Sequence, residues 1–404
     1  MTTVAIIGGG AAGCFAAAHL SRMAPGLAVD LYESSSKLLA KVAVTGGGRC
    51  NLTNTFDCIT DLSEAYPRGA RLMKRALKSF SQADTCSWFE SEGVRLTVQD
   101  GQYVFPASQD AMQIVRTLEN ALSAGGVRVH TGRKLTGIGD EDGLFSLLFA
   151  DGKEAVADRV LVAVGGKKDF SFLDPLGLEI VPPCPSLFTF NLSDKAFRSL
   201  MGTVVEDAGT YIPGTKFRAR GPLLITDWGV SGPAVLKLSS YAARYLCEKN
   251  WRSQLGVRWL PSVNESALRL RLETMALENP RRKISNVHPP ELPSRLWAFL
   301  LSRSGLREDM VWAELGVKGL SRLVGTLLSD VYEITGRGSF KDEFVTAGGV
   351  SLSEVNPSDM RCRKHPGLYF AGEVLDVDAI TGGFNLQAAW STAFVAASSI
   401  AESL

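Results

Sequence analysis

The spacing of hydrophobic positions changes twice within the first thirty residues. Val4-Ala5-Ile6-Ile7 is an unbroken apolar run rich in β-branched residues, the pattern of a strand buried on both faces. It enters Gly8-Gly9-Gly10-Ala11-Ala12-Gly13 directly, and an Ala-rich helical stretch follows to Met23. A second apolar run, Ala28 to Tyr32, ends at Glu33, twenty residues after Gly13. The expected order is strand, glycine turn, helix, strand and acid, and each part suits a dinucleotide. Gly8 permits a tight turn, Gly10 lets the backbone approach a pyrophosphate, and Gly13 lets the helix pack closely on the strand. The helix start presents N–H groups and a positive dipole end to phosphates. Glu33 is placed to accept from both ribose hydroxyls of an adenosine, and its charge repels a 2′-phosphate.

Further along, Lys41 to Asn54 holds a second glycine-rich loop, Thr45-Gly-Gly-Gly-Arg-Cys-Asn51. Residues 68–93 read as helices, 94–98 and 102–105 as a hairpin, and 108–124 as a helix. A strand at 127–130, a meander at 135–138 and 144–149, and a strand at 159–164 ending in Gly165-Gly166 follow. Pro182-Pro183-Cys184-Pro185 is a stiff connection and a predicted boundary. Residues 186–261 alternate in short runs with many turn residues, the pattern of a β-rich domain. Residues 262–330 switch to helical spacing, with Leu268, Leu272 and Met275, then Leu296, Phe299 and Leu300. A strand is expected again at 331–335. From residue 340 the chain reads as strands at 345–350 and 368–370, then Gly382-Gly383-Phe384-Asn385-Leu386-Gln387 opening a helix to Glu402. The C-terminus is therefore expected to rejoin the first domain.

Composition narrows the class. The 43 Lys and Arg nearly balance 42 Asp and Glu, so no electrostatic feature favours nucleic acid or a membrane surface. The N-terminus lacks the basic segment of a signal peptide, and no apolar stretch reaches the length of a membrane span; a cytoplasmic protein is expected. Seven cysteines are scattered without CxxC spacing and four histidines are isolated, which argues against a disulfide framework, a dithiol site or a metal centre.

Taken together, the first fingerprint, Val162-Ala163-Val164-Gly165-Gly166, Tyr369-Phe370-Ala371-Gly372-Glu373 and the last glycine turn form the layout of two-dinucleotide-fold flavoproteins. A carboxylate after Ala-Gly suits ribityl hydroxyls, and the following helix start suits the edge of a flavin where negative charge collects. FAD is thus favoured over NAD. Thr45-Gly-Gly-Gly-Arg-Cys-Asn-Leu-Thr-Asn54 resembles the GGGRCNxTN signature of the BaiN/RdsA (YhiN-type) family of FAD-dependent oxidoreductases. Thr226-Asp-Trp-Gly-Val-Ser-Gly-Pro233, Val345 to Val350, and Gly367 to Asp376 with Thr381 to Gln387 resemble its later landmarks, in order along essentially the whole chain. The resemblance implies an α/β fold. A Rossmann-like FAD domain would be built from residues 1–185 and 340–404, with an inserted β-barrel-like domain (186–261 and 331–339) carrying a helical domain (262–330).

It further implies non-covalent FAD contacts from Gly8, Gly10, Ala11, Ala12 and Gly13, from Glu33, Ser34 and Lys41, and from Gly46, Gly47, Gly48, Arg49, Cys50 and Asn51. Leu135, Val164, Gly165, Gly166, Gly372, Glu373, Gly383, Phe384, Asn385 and Leu386 complete the set. Arg49 is the candidate cation beside the cofactor. Asp227 and Trp228 are candidates at the substrate pocket, which the resemblance places against the loops at 46–54 and 382–385. Two departures stand out. Gly165-Gly166-Lys167-Lys168-Asp169 replaces a longer Gly/Ser-rich loop, and Asp227 stands where the family commonly has His, so an imidazole proton donor does not carry over. The expected activity is hydride transfer between the flavin and a small organic substrate, with NAD(P)H as transient reductant because no second strand–GxGxxG–helix unit exists. The alternatives are an oxidase of a small amine-type substrate using oxygen, and a flavin-containing binding or RNA-modification accessory protein.

Overall fold

The computed structural model describes residues 2–338 and 345–403; the domain boundary expected at 339/340 lies outside them. The chain divides into two compact units, Met1–Cys184 with Val345–Leu404, and Pro185–Phe344.

The first unit is organised by a five-stranded parallel sheet. Its order is Leu368–Phe370, Arg159–Val162, Thr3–Ile7, Ala28–Tyr32 and Arg128–His130. Thr3–Ile7 is central, and Val4 and Ile6 are fully buried, as its unbroken apolar run requires. The helices Ala11–Met23 and Phe384–Glu402 pack on one another. Both are rich in alanine, and Phe15 meets Trp390 at 5.1 Å between ring centroids. Chain start and chain end thus share one core. The strand expected to reach Val164 stops at Val162, because Ala163 lies against the Gly8 turn, donating its N–H to Ile7 O at 2.7 Å. The glycine-rich stretch also differs from a plain loop. It opens as helix at Ala40 and breaks at Thr45–Gly47. Two small sheets complete the unit: Thr53–Asn54, Tyr103–Pro106 and Leu96–Gln99, and the meander Leu135–Glu141, Leu144–Phe149 and Glu154–Ala157.

The second unit contains a closed six-stranded antiparallel barrel. Its order is Phe190–Leu192, Gly229–Ser231, Arg218–Ile225, Val204–Tyr211, Ser253–Arg258 and Asp330–Arg337, closing back on Phe190–Leu192. Helices Pro233–Tyr241 and Ala243–Glu248 interrupt what reads in sequence as continuous β structure; Gly232-Pro233 is a turn followed by a proline at the first helical position. The helices Glu265–Glu278, Ser294–Arg303 and Gly316–Leu328 do not form a separate core. Leu268, Trp297, Leu300 and Leu323 belong to the same apolar cluster as Phe190, Leu255 and Trp259 of the barrel. Tyr211 lies over Gly256 of the neighbouring strand, where a Cβ would come 2.2 Å from its ring, and its hydroxyl is 2.6 Å from Ser329 Oγ. It covers a bare strand position. No described helix is long and apolar enough to cross a membrane.

Candidate functional site

The three fingerprint glycines of the first unit are required for different reasons. Gly8 has φ +110°, and a Cβ there would lie 2.4 Å from Ala163 O. A Cβ on Gly13 would come 1.9 Å from Gly8 O. The fold itself therefore excludes side chains at both. Gly10 is extended (φ −86°), and a Cβ there would meet nothing within 4 Å. The space it leaves open lies before the start of the Ala11–Met23 helix, whose first turn no side chain caps; Ala11 and Ala12 begin that turn. Uncapped N–H groups facing open space form an anion cradle.

Glu33 closes one side. Its carboxylate accepts from Gly9 N–H at 2.8 Å, Ser35 N–H at 2.7 Å and Ser34 Oγ at 3.1 Å. Burial by itself would raise its pKa, but the N–H groups of Ser35 and Gly9 outweigh burial and hold it below the usual carboxylate range. It is a charged acceptor fixed beside the glycine turn.

A second fixed carboxylate of this unit is Glu373. One oxygen accepts from Thr346 N–H at 2.7 Å, and the other is 3.4 Å from Lys41 Nζ. The Gly165–Gly166 backbone runs against this carboxylate: a Cβ on Gly166 would come 2.8 Å from Glu373 Oε1. Gly372, at φ +75°, approaches Ala12, where a Cβ would be 2.9 Å from the alanine methyl. Residues 332 positions apart, Lys41 and Glu373, are thus brought together, as are Ala12 and Gly372. Val164 is half-buried, two residues past the end of the Arg159–Val162 strand. Leu135 is buried at the start of the meander, two residues after Arg133, whose N–H binds Glu33 O at 2.7 Å.

The second glycine turn starts the Phe384–Glu402 helix, also without a side-chain cap. A Cβ on Gly383 would lie 2.5 Å from Thr53 O and 2.8 Å from Asn51 Oδ1. Asn51 Oδ1 is buried and has no hydrogen-bond partner among the described residues, a position that a ligand N–H would satisfy. Asn385 and Phe384 serve the turn itself. The Asn385 amide accepts from Ala379 N–H and donates to Ala379 O, and Phe384 packs edge-on to Phe56 while its carbonyl accepts from Tyr66 OH at 2.9 Å. Leu386 is half-buried in the first turn.

Gly46, Gly47 and Gly48 all have positive φ, +59°, +69° and +83°, and a Cβ on Gly47 or Gly48 would meet nothing within 4 Å. Arg49 is exposed. Its guanidinium lies 4.8 Å from the Phe105 ring centroid and donates to Gly46 O at 3.3 Å, with no carboxylate partner among the described residues. Cys50 is fully buried, and burial pushes its thiol up to about 12, which removes it as a thiolate nucleophile.

Two aromatic residues of this region escaped the sequence reading. Tyr103 and Phe105 share one face of their strand, a placement their i, i+2 spacing already specified. Phe105 lies under Arg49, and Tyr103 carries its ring to within 3.2 Å of a Cβ placed on Gly382. Burial, with the nearby Asp100 and Cys58, raises the Tyr103 phenol, so it stays protonated.

Asp227 and Trp228 belong to the second unit. They form the turn between Arg218–Ile225 and Gly229–Ser231, closed by Thr226 N–H to Gly229 O at 2.9 Å. Asp227 is exposed; its carbonyl accepts from Arg198 Nε and that of Trp228 from Leu192 N–H.

A parallel sheet with two uncapped glycine-turn helices and a fixed carboxylate, Glu33, beside the first turn defines a Rossmann-type nucleotide-binding unit. A family model described as HI0933-like protein Rossmann domain matches residues 2–399, and the chain belongs to this family, the BaiN/RdsA group of flavoprotein oxidoreductases. It is 30% identical, over 100% of both chains, to a 3-dehydro-bile acid delta(4,6)-reductase of Clostridium scindens. It is also 30% identical to a ribosomal RNA dihydrouridine synthase of Escherichia coli, covering 97% of this chain and 96% of that one. A solved 3-ketosteroid-delta4-(5alpha)-dehydrogenase from Rhodococcus jostii shares the fold, with a TM-score of 0.50 and 12% identity over 98% of this chain and 97% of that one.

Proposed function

We propose that this protein binds FAD non-covalently and reduces a carbon–carbon double bond conjugated to a carbonyl, with NAD(P)H as reductant. The observation that carries the reading is the open space at Gly10, beside the turn that Glu33 binds, together with the buried unpartnered Asn51 Oδ1 at the second glycine turn. Bound FAD supplies hydride chemistry. The chain supplies the rest. Glu33 accepts from the adenosine ribose, the N–H groups at Ala11 and Ala12 hold phosphate, Glu373 takes ribityl hydroxyls, and Asn51 accepts from a ring N–H. The buried, protonated Cys50 leaves FAD unattached. Arg49 offsets negative charge that develops on the substrate or cofactor. Tyr103, beside the Gly382 turn, is the proton source for the carbon next to the carbonyl.

The substrate class draws on the relatives. One is named a reductase of a dehydro-bile acid and the other makes dihydrouridine. Uridine becomes dihydrouridine by gaining two hydrogens across a double bond conjugated to a carbonyl, so one chemistry covers both names. A small-molecule substrate is favoured here because a net charge of +1 offers little general attraction to a polyanion. A uracil of ribosomal RNA is the second reading, favoured by the full-length likeness to the synthase.

The test is anaerobic mixing of the yellow protein with NADH or NADPH, followed by 2-cyclohexenone, ribosomal RNA or oxygen. Bleaching of the flavin band by a nicotinamide and its return with the enone are expected. Return only with RNA selects the second reading. No bleaching, with reduction instead by a small amine, sinks the reductase reading and leaves an oxidase. Arg49→Ala is expected to keep its FAD and bleach more slowly.

A further inference from the structure

Between the Gly372–Val374 turn and the Phe384–Glu402 helix the chain forms neither helix nor strand, yet Val377, Asp378, Ala379 and Ile380 are all buried. This connection starts beside Glu373 and ends on the second glycine turn. Irregular backbone held away from water needs partners from another segment, and residues 65–69 supply them. Ala65 O accepts from Ile380 N–H at 2.9 Å. The buried Tyr66 hydroxyl donates to Phe384 O at 2.9 Å. Gly69 leaves room for Val377, whose side chain would lie 2.5 Å from a Cβ there.

Arg68 and Asp378 face each other across an antiparallel bridge, and the guanidinium donates through Nε and Nη2 to the two carboxylate oxygens. The two side chains are 11% and 0% exposed. Burying two charges is a poor source of stability, because lost hydration offsets their attraction and apolar residues of similar volume often serve as well. A bidentate pair does what apolar contact cannot: its planar fork fixes distance and orientation together. The connection it fixes leads to Gly382, whose carbonyl accepts from Asn54 Nδ2 at 3.0 Å, and to Gly383, pressed on Thr53 O and Asn51 Oδ1.

We propose that Arg68 is a positioning residue for the flavin: through Asp378 it sets the second glycine turn, and with it the uncapped start of the Phe384–Glu402 helix. The proposal rests on the FAD reading and adds a residue that acts through the turn rather than on the cofactor. Ala65, Tyr66 and Gly69 hold the rest of the connection, so losing the fork shifts the turn without releasing the whole segment.

The experiment compares wild type, Arg68→Lys, and a double variant carrying Arg68→Met and Asp378→Leu. Thermal melting of the flavin-free proteins reads the fold. The visible circular dichroism of the bound flavin, and the rise in flavin fluorescence as diluted holoprotein releases it, read the site. The double variant is expected to melt close to wild type, because it leaves no buried charge unpaired, and to take up FAD. Its flavin circular dichroism is expected to change and its release to be about tenfold faster, the scale of a misaligned helix-terminus interaction. Arg68→Lys keeps both charges without the fork and is expected to fall between the two. Wild-type circular dichroism and release in a folded double variant overturn the positioning role. If the double variant does not fold, the same two readings on Arg68→Lys decide. Failure of both to fold assigns the pair to the fold and overturns positioning as well. A wild-type protein that carries no flavin overturns the FAD reading, and this inference with it.

Discussion

Two partly hidden charges, one in each unit, have opposite surroundings. In the second unit Asp330 is buried, and accepts from Trp259 Nε1 at 3.0 Å, from Tyr332 OH and from Arg303 Nε. Arg303 in turn stacks 4.5 Å from the Tyr332 ring centroid and reaches Asp194 at 3.2 Å. Every partner comes from the same unit, and the network ties the last barrel strand to the Ser294–Arg303 helix. Lys167 of the first unit is half-buried, has charged neighbours of both signs in Glu33, Lys134 and Lys41, and makes no hydrogen bond or ion pair among the described residues. Groups satisfied by their own chain hold the fold, whereas a charge kept partly out of water without a partner marks the place where a ligand belongs. Asn51 Oδ1 and the uncapped helix starts at Gly10 and Gly383 fall on the same side of this division as Lys167.

The largest effects come from the glycines. Gly10→Val is expected to fold and to lose its flavin, an affinity loss of at least about 3 kcal/mol, because the side chain fills space that no protein atom uses. Gly13→Val is expected to lose the fold as well, since its Cβ meets Gly8 O. Thermal melting and the flavin band of the purified variants separate the two outcomes, and a yellow Gly10→Val protein breaks the assignment. Asp330→Ala comes next. It leaves the Trp259 N–H, the Tyr332 hydroxyl and Arg303 without their acceptor, at a cost of about 3–5 kcal/mol by urea unfolding. Lys167→Met in flavin-free protein is expected to fall within about 0.5 kcal/mol of wild type. Equal losses for the two would erase the contrast.

His19 extends the comparison to pH. Burial among Phe15, Phe80, Trp88 and Phe394 lowers its pKa from 6.5 to about 4, although its ring nitrogen bonds Phe15 O. Between those values the unfolded chain binds a proton that the folded protein refuses. Its contribution is therefore complete above pH 6.5 and is lost as pH falls towards 4, by roughly 3 kcal/mol. Urea midpoints of wild type should drop across that window more steeply than those of His19→Phe; parallel curves would show that the imidazole is not held neutral.

Glu33→Ala is expected to weaken FAD by about 1–3 kcal/mol, the scale of charged hydrogen bonds, measured as flavin release. The smallest effect concerns the second unit. Trp228→Ala is expected to lower substrate turnover several-fold while flavin content stays the same. Unchanged turnover would leave Trp228 a packing residue of its turn.

Much of the first unit was legible because its signals are local. The run Val4–Ile7, the glycines at 8, 10 and 13 and the acid at 33 follow from backbone geometry within thirty residues, and the structure places Thr3–Ile7, Ala11–Met23 and Ala28–Tyr32 accordingly. Other features needed the fold. The helices Pro233–Tyr241 and Ala243–Glu248 were hidden among barrel strands, since short apolar runs read alike as strand or buried helix. Tyr103 was passed over because an aromatic in a hairpin has no assigned role until the Gly382 turn is brought beside it.

The sequence by itself determined that a strand, turn and helix would present N–H groups to a phosphate, since φ and the absence of Cβ are properties of single residues. It also determined that both chain ends would carry such a turn. Only the tertiary structure decided which glycines answer to the protein and which to a ligand. Gly8 and Gly13 are crowded by atoms of their own chain, and Gly10 by none. It likewise decided that Lys41 meets Glu373, because residues 332 positions apart become neighbours only when the fold brings their backbones together.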